Sequence, residues 1–166
     1  PYGAAAGARI GGIAGVIGGG ATGGERNNNF QAGFDPLTGL PVEFQNTKPA
    51  PGNTSNVNSV LSQLDTLRDG LRGLNIAVGQ TELTIQSGNR SGLTLNGESF
   101  SSLGGLTEAA LDKLLAASSL TEEQRRVASA SNATDAQGLL AELGFIDEFH
   151  QLAGTMSALD AEAKAL

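Results

Sequence analysis

The sequence has no cysteine and no tryptophan, and aromatic residues make up only 4% of its 166 residues. Without cysteine, neither disulfides nor thiolate metal sites can form. The shortage of aromatic side chains argues against a large core, because these side chains bury the most apolar surface per residue. The sole histidine, His150, follows Phe149 on the outer face of a predicted helix, where solvation is favoured over catalysis. The sequence has no Ser/His/Asp set and no residues at metal-ligand spacing. We therefore predict that the protein is not an enzyme and that it has no catalytic residue, no cofactor and no metal site.

Positive charge is also scarce, with 10 Lys and Arg against 17 Asp and Glu and a net charge of -7. Residues 98–166 hold eleven acidic and four basic side chains, which accounts for the whole imbalance. The chain has no basic patch to neutralise phosphates, so we expect no sequence-specific nucleic-acid binding. A match to the dinucleotide motif GxGxxG at Gly18, Gly20 and Gly23 carries no weight, because ten of the first 24 residues are glycine.

Glycine, by contrast, is abundant and ordered in residues 1–24, where it recurs every four residues. In a helix this spacing gives a stripe without side chains, against which another helix can pack closely. Ten glycines cost roughly 10 kcal/mol relative to alanine, so the helix needs copies of itself, a bilayer or a protein tube around it. A flexible Gly/Ala linker is the alternative. The predicted helix-packing or membrane residues are Gly3, Gly7, Gly11, Gly15, Gly19 and Gly23.

Residues 25–56 have a different composition, with four of the five prolines and a run of asparagines. This composition predicts an extended connector that sustains neither a helix nor a continuous strand. The segment nevertheless holds Phe30, Phe34 and Phe44, half of the six phenylalanines. Apolar side chains on an extended backbone are typical of a segment that orders against a partner, so these three are predicted partner-docking residues.

Residues 57–75 carry apolar side chains at spacings that alternate three and four, which is the pattern of a heptad helix. Gly70 and Gly73 mark its expected end. The pattern predicts association with copies of the chain, and a single amphipathic helix packed on its own domain is the alternative. The predicted seam is Val57, Val60, Leu64, Leu67, Leu71 and Leu74.

Residues 76–100 change to a period of two. Leu83 and Ile85 alternate with polar residues, residues 88–92 supply a glycine-bounded turn, and Leu93 and Leu95 alternate again. This pattern predicts a β-hairpin, to which residues 76–78 could add a short strand. A lone hairpin is marginal in water, so its apolar face needs a helix, a second copy or a docking surface.

Residues 101–166 are predicted to be helical. Thr107 is a candidate N-cap, and Thr121 and Thr134 each precede a glutamine three residues later, as in a capping box. Gly144 is expected to close the third helix, and a second heptad helix then begins. Its bulky Phe149 does not suit a tight dimer, so we expect trimers. The seam is Phe145, Phe149, Leu152, Met156 and Leu159, and the pattern continues through Ala163 to Leu166.

These segments together predict an elongated, non-globular, mainly α and oligomeric chain. In order they are a glycine-zipper helix, an extended connector, a heptad helix, a β-hairpin and C-terminal helices. The order resembles the C-terminal region of tape measure proteins of long-tailed bacteriophages and gene transfer agents. The resemblance rests on GAAAGARIGGIAGVIGGGATGG, on the Pro- and Phe-bearing connector, on the hairpin around LTIQSGNRSGLTLNG and on the Leu/Ala-rich helices.

The resemblance implies a structural role inside a phage tail. A tape measure protein sets tail length, and its C-terminal end lies at the tail tip, commonly in three copies, next to distal tail and hub proteins. It leaves before the DNA, and its Gly-rich segments are proposed to enter the host envelope. The chain would then be a fragment of a longer virion protein that plugs the tail tip and transiently meets the host membrane.

The alternative is a bacterial glycine-zipper envelope protein, in which the first segment lies in a membrane and the remainder forms a stalk. A signal peptide upstream of Pro1 would favour the envelope protein. A long heptad helix upstream would favour the tape measure protein.

Overall fold

The computed structural model describes residues 29–43 and 49–165, which form one antiparallel sheet and four helices. The strands are β1 (Phe30–Phe34), β2 (Pro41–Glu43), β3 (Thr84–Gly88), β4 (Gly92–Leu95) and β5 (Glu98–Phe100). The helices are α1 (Pro51–Gly73), α2 (Leu103–Ala117), α3 (Glu122–Ala130) and α4 (Ala136–Ala165). This is a mixed α/β fold, so the expectation of an elongated, mainly α chain is wrong.

Two strands of the sheet come from the predicted connector. The sheet order is β2-β1-β3-β4-β5, and β1 pairs with both β2 and β3. Phe30, Ala32 and Phe34 alternate along β1 and are buried, which is the period of a half-buried strand. Pro41 begins the edge strand β2, where its missing N–H costs little. The connector prediction therefore failed here, because a sequence rich in turn residues can still supply an apolar face of period two.

The predicted β-hairpin is present as β3 and β4, with Ile85 opposite Leu95. It continues into β5 through Asn96 and Gly97, which both have positive φ, as a two-residue type I′ turn requires. The Asn96 side chain accepts a hydrogen bond from the Thr84 N–H and donates one to the Glu82 carbonyl, each at 2.8 Å. Residues 76–78 form no strand, although Ile76 is buried in the core.

Helix α1 lies at the centre of the fold and packs against the sheet, α2 and α4. It begins at Pro51, six residues before the predicted start, because proline is favoured at the first position of a helix. Its buried side extends beyond the heptad positions to Arg68. The Arg68 guanidinium donates from Nε to the Pro36 carbonyl and from a terminal nitrogen to the Leu37 carbonyl, both at 2.6 Å. Arg68 therefore ties the β1–β2 turn to α1.

One of the three predicted N-cap residues, Thr121, caps its helix in the structure. Thr121 and Gln124 form the predicted capping box of α3. Helix α2 starts earlier than expected, because the Ser102 hydroxyl accepts from the Gly105 N–H and so caps it in place of Thr107. At the start of α4, the Asp135 carboxylate accepts from the Gly138 N–H at 2.8 Å, where Thr134 was predicted to cap.

Helix α4 runs without a break for 30 residues, so Gly144 does not end a helix. In its first part, Ala136, Leu139 and Leu143 are buried in the core. Leu140 contacts α1 at Gly70, where an added Cβ would overlap the leucine side chain. We refer to residues 29–43 and 49–144 as the α/β module. Beyond residue 144 most of α4 lies outside the core, although Ile146 is half-buried against it.

Candidate functional site

The second part of α4 exposes a row of large apolar side chains. These residues, which we call the α4 stripe, are between 58% and 69% exposed and are Phe145, Phe149, Leu152, Met156 and Leu159. Their spacing alternates four and three, which brings them onto one side of the helix. Four turns of helix separate the first from the last, a distance of about 21 Å.

The residues around the α4 stripe are small or polar and are solvated. Every residue from 151 to 165 is exposed, and an ion pair links Lys164 to Asp160 at 3.1 Å. Such exposed pairs add little to stability. An apolar row on a solvated helix is typical of a surface that another protein or a membrane covers. The α4 stripe is therefore the candidate functional site of the described residues.

The other predicted seam has a different environment. Val57, Val60, Leu64, Leu67 and Leu71 are all fully buried in the core of the chain itself, and Leu74 is half-buried. The sheet and helices α2 and α4 cover this seam within the single chain, so its apolar side chains are not free to join copies. The alternative interpretation, an amphipathic helix packed on its own domain, describes α1 correctly.

Two of the three predicted docking phenylalanines also lie in the core. Phe30 and Phe34 are at most 3% exposed and pack inside the module. Their apolar surface is already covered without a partner, which corrects the expectation that they dock on another polypeptide. Phe44 lies outside the described residues, as do the six zipper glycines. His150 lies in α4, and its side chain is outside the described set.

The module also contains a cavity of about 610 Å³, bounded by α2, α3 and the start of α4. Leu111, Leu115 and Leu139 supply apolar walls, and Asp112 and Arg125 supply charged ones. Burial, together with the nearby Glu108 carboxylate, raises the pKa of Asp112. The Arg125 guanidinium donates to the Ser118 carbonyl at 2.8 Å and so helps to hold α3 over the cavity. No residue of α3 is fully buried, so this hydrogen bond and the contact of α3 with α4 hold the helix in place.

Two further properties hold for the part of the chain that the structure describes. None of its helices combines the length and apolar character needed to cross a bilayer. No group of three or more His, Asp or Glu side chains there could bind a metal ion.

Besides the strands β1 and β2, sequence reasoning missed two features that shape the module, the strand β5 and the role of Arg68. The strand β5 had an available signal, since Asn-Gly between alternating residues is the strongest short-range indicator of a hairpin. The role of Arg68 had a weaker sequence signal. Arg68 comes four residues after Leu64, which itself comes three residues after Leu61, so all three lie on the apolar side of the helix. Comparison of the chain with protein-family models, with curated proteins and with solved structures found no match.

Proposed function

We propose that this chain is a structural protein that works by assembling with copies of itself at the tail-tip end of a tape measure protein. In a long-tailed phage or gene transfer agent it would help to set tail length and plug the tail tip. It would also enter the host envelope during DNA ejection. Distal tail and hub proteins would be its neighbours in the virion. The resemblance of the sequence supports this setting, and the α4 stripe supports the assembly.

The observation that carries the proposal is the exposure of the α4 stripe at heptad spacing. Covering a large apolar side chain contributes about 1.5 to 3 kcal/mol when burial is complete. A row with alternating spacing of three and four fits a second helix with the same spacing, because its side chains enter the gaps of the facing row. A copy of α4 provides such a helix.

The assembly can be tested by sedimentation of the chain and two variants. Leu152→Glu introduces a charge in the middle of the α4 stripe and should convert the oligomer to a monomer. Ser157→Glu introduces the same charge at an exposed position outside the α4 stripe and should leave the oligomer intact. Helical content of both variants, measured by circular dichroism, controls for unfolding. A wild-type chain that sediments as a monomer at all accessible concentrations would contradict the proposal.

The setting in a tail can be tested separately, in particles that contain the natural protein. Removal of a helical stretch from a tape measure protein should shorten the tail by about 1.5 Å per residue, the rise of an α-helix. Electron micrographs of tails from two deletions of different length would give this slope. Tails of unchanged length would overturn the tape measure role. Recovery of the chain in the envelope of the producing cell, without particles, would support the envelope protein instead.

A further inference from the structure

The cavity between α2, α3 and the start of α4 has the size of a small-molecule site. Its volume of about 610 Å³ lies inside the range of about 300 to 1,000 Å³ that is usual for ligand pockets. Three elements bound the cavity, so an occupant is surrounded on several sides. Leu139 is the α4 residue at the cavity, and it lies in the buried part of that helix, away from the α4 stripe. The cavity is therefore a separate feature of the α/β module.

Apolar side chains form the inner wall of the cavity. Leu115 and Leu139 are at most 5% exposed, and Leu120 and Ala128 are half-buried against the same core. A ligand with an apolar body would remove the remaining exposed surface of Leu120 and Ala128 from water, which is favourable. The wall therefore suits an aliphatic body or another apolar one.

Two carboxylates lie where the cavity meets solvent. Glu108 and Asp112 are exposed residues four positions apart, so they lie on one side of α2. Partial burial, and then the Glu108 carboxylate, raise the pKa of Asp112, which means that the two acids are close enough to repel each other. Within residues 29–43 and 49–165, neither carboxylate takes part in an ion pair. A cation beside them would offset their repulsion.

The positive charge at the cavity is already engaged elsewhere. Arg125, on α3, donates a hydrogen bond to the Ser118 carbonyl at 2.8 Å. The other polar side chains that line the cavity are uncharged hydroxyl and amide groups, and Leu139 brings no charge from α4. The two carboxylates therefore outnumber the guanidinium, and the cavity favours a positively charged ligand.

We infer that this cavity binds a small organic cation whose ammonium group lies beside Glu108 and Asp112. Its apolar body lies against Leu115 and Leu120. A compact ammonium with three donors suits two separate carboxylates better than a planar guanidinium, which is shaped for one carboxylate. The inference goes beyond the proposed function, because neither the α4 stripe nor an assembly of copies takes part in this site.

Binding of such a cation should depend on pH. The ionised form of Asp112 attracts an ammonium group and the protonated form does not, so affinity should rise as the pH increases through the raised pKa of Asp112. The charged groups that face Asp112 across the cavity are Glu108 on α2 and Arg125 on α3, and Leu139 of α4 is apolar. Below that pKa, binding should release a proton to the solvent.

Titration of the intact chain with n-hexylammonium, followed through amide shifts in NMR spectra, tests the site. We expect saturable shifts among residues 108–133, which hold most of the cavity lining. 1-Hexanol has the same apolar body and no charge, so it should bind about threefold to fivefold more weakly, the contribution of a solvated ion pair. Ammonium chloride, which has the charge without the body, should give no saturable shift at the same concentrations.

Asp112→Asn is the matched variant, because it keeps the size of the side chain and removes its charge. It should weaken the binding of hexylammonium about threefold to fivefold and remove most of its pH dependence, while 1-hexanol binds as before. Glu98→Gln removes the same charge from an exposed position in β5 and should change the affinity less than about 1.5-fold. Equal weakening of hexylammonium and 1-hexanol by Asp112→Asn would overturn the role of its charge.

Three further results would contradict the inference. Equal affinity of the wild-type chain for hexylammonium and 1-hexanol would overturn the choice of a cation. An absence of saturable shifts among residues 108–133, or shifts confined to the α4 stripe, would overturn the site. N-acetyl-lysine methylamide carries the ammonium on a peptide unit and should bind more weakly than hexylammonium. Tighter binding of this probe would replace the small cation with a lysine side chain of another protein.

Discussion

Helices α1 and α4 carry the same heptad spacing and use it in different ways. The seam of α1 is fully buried from Val57 to Leu71, and the α4 stripe is about 60% exposed along its whole length. The difference lies in what surrounds each helix. Helix α1 has a sheet and two helices packed around it, whereas every described residue of α4 beyond Ile146 is exposed. A heptad spacing of apolar residues therefore indicates that one face of a helix will be covered. The elements that surround the helix determine which surface covers that face.

The largest expected effect tests the buried member of this comparison. Leu64→Ala should lower the free energy of unfolding by about 2 to 5 kcal/mol, because it leaves a cavity in a close-packed core. Urea denaturation at a concentration where the chain is monomeric measures this change. A loss below about 1 kcal/mol would mean that the α1 seam contributes little to the stability of the module. It would contradict the distinction between a buried α1 seam and an exposed α4 stripe.

A second variant tests whether a buried residue of α1 outside the heptad positions, Arg68, also stabilises the module. Arg68→Lys keeps the charge, but one ammonium cannot match the planar guanidinium that donates to both turn carbonyls. We expect a loss of about 1 to 3 kcal/mol in the free energy of unfolding. Arg72→Lys, on an exposed position of the same helix, is the control and should change it by less than about 0.5 kcal/mol. Equal effects of the two variants would contradict the role of Arg68.

A third variant acts where the two helices meet. An Ala side chain at Gly70 would overlap Leu140 of α4, and such overpacking typically costs about 1 to 3 kcal/mol. The matched change Gly73→Ala meets no atom within 4 Å and should be neutral or stabilising by up to about 1 kcal/mol. Urea denaturation of both variants gives the contrast. If Gly70→Ala is as stable as Gly73→Ala, the packing of α4 on α1 does not require a glycine at position 70.

The exposed member of the comparison should behave in the opposite way. Leu152→Ala should change the free energy of unfolding of the monomer by less than about 0.5 kcal/mol, because the side chain lies outside the core. The same variant should raise the dissociation constant of the oligomer roughly tenfold or more, since a large apolar contact is lost. Denaturation and sedimentation of one sample separate these effects. A destabilised monomer would show that the α4 stripe packs on its own module.

The smallest expected effect concerns the pH dependence of the module. Because burial, and then Glu108, raise the pKa of Asp112, the folded chain binds this proton more tightly than the unfolded chain does. The associated stability is present at low pH and is lost as the pH rises through the raised pKa. Asp112→Asn removes the ionisation and should stabilise the chain at about pH 7, by no more than about 0.5 kcal/mol at this partly solvated site.

Thermal unfolding across a pH series checks the assignment to Asp112. The advantage of Asp112→Asn should be greatest near neutral pH and should shrink on acidification. Glu98→Gln, at an exposed position in β5, controls for the loss of one negative charge from the whole chain. An advantage that stays constant across the series would mean that ionisation of Asp112 is not its source.

Short-range chemistry in the sequence was enough to predict several elements. The β3–β4 hairpin follows from alternating residues around a glycine-bounded turn, and the capping box of α3 follows from Thr121 and Gln124. Each of these features is decided within about ten residues of chain. The five residues of the α4 stripe were also singled out from the sequence, because their spacing is a property of one helix, and their role as an oligomer seam stays a prediction.

The strands of the predicted connector depend on partners far away in the chain. Strand β1 pairs with β3, so Ala32 is opposite Ile85, and β2 in turn pairs with β1. Turn residues around Pro36 and Pro41 masked the alternation of Phe30, Ala32 and Phe34. Only the sheet and α1 supply the surface that buries these three side chains, so local sequence could not reveal it.

The sequence by itself determined that α1 and α4 each have an apolar side, since the period of the helix places the side chains at these spacings together. It also determined where several turns and caps lie. Only the tertiary structure decided that the α1 seam meets the chain's own sheet and that the α4 stripe stays exposed. The physical reason is that the hydrophobic effect depends on apolar area removed from water and has no preference for the identity of the surface that removes it.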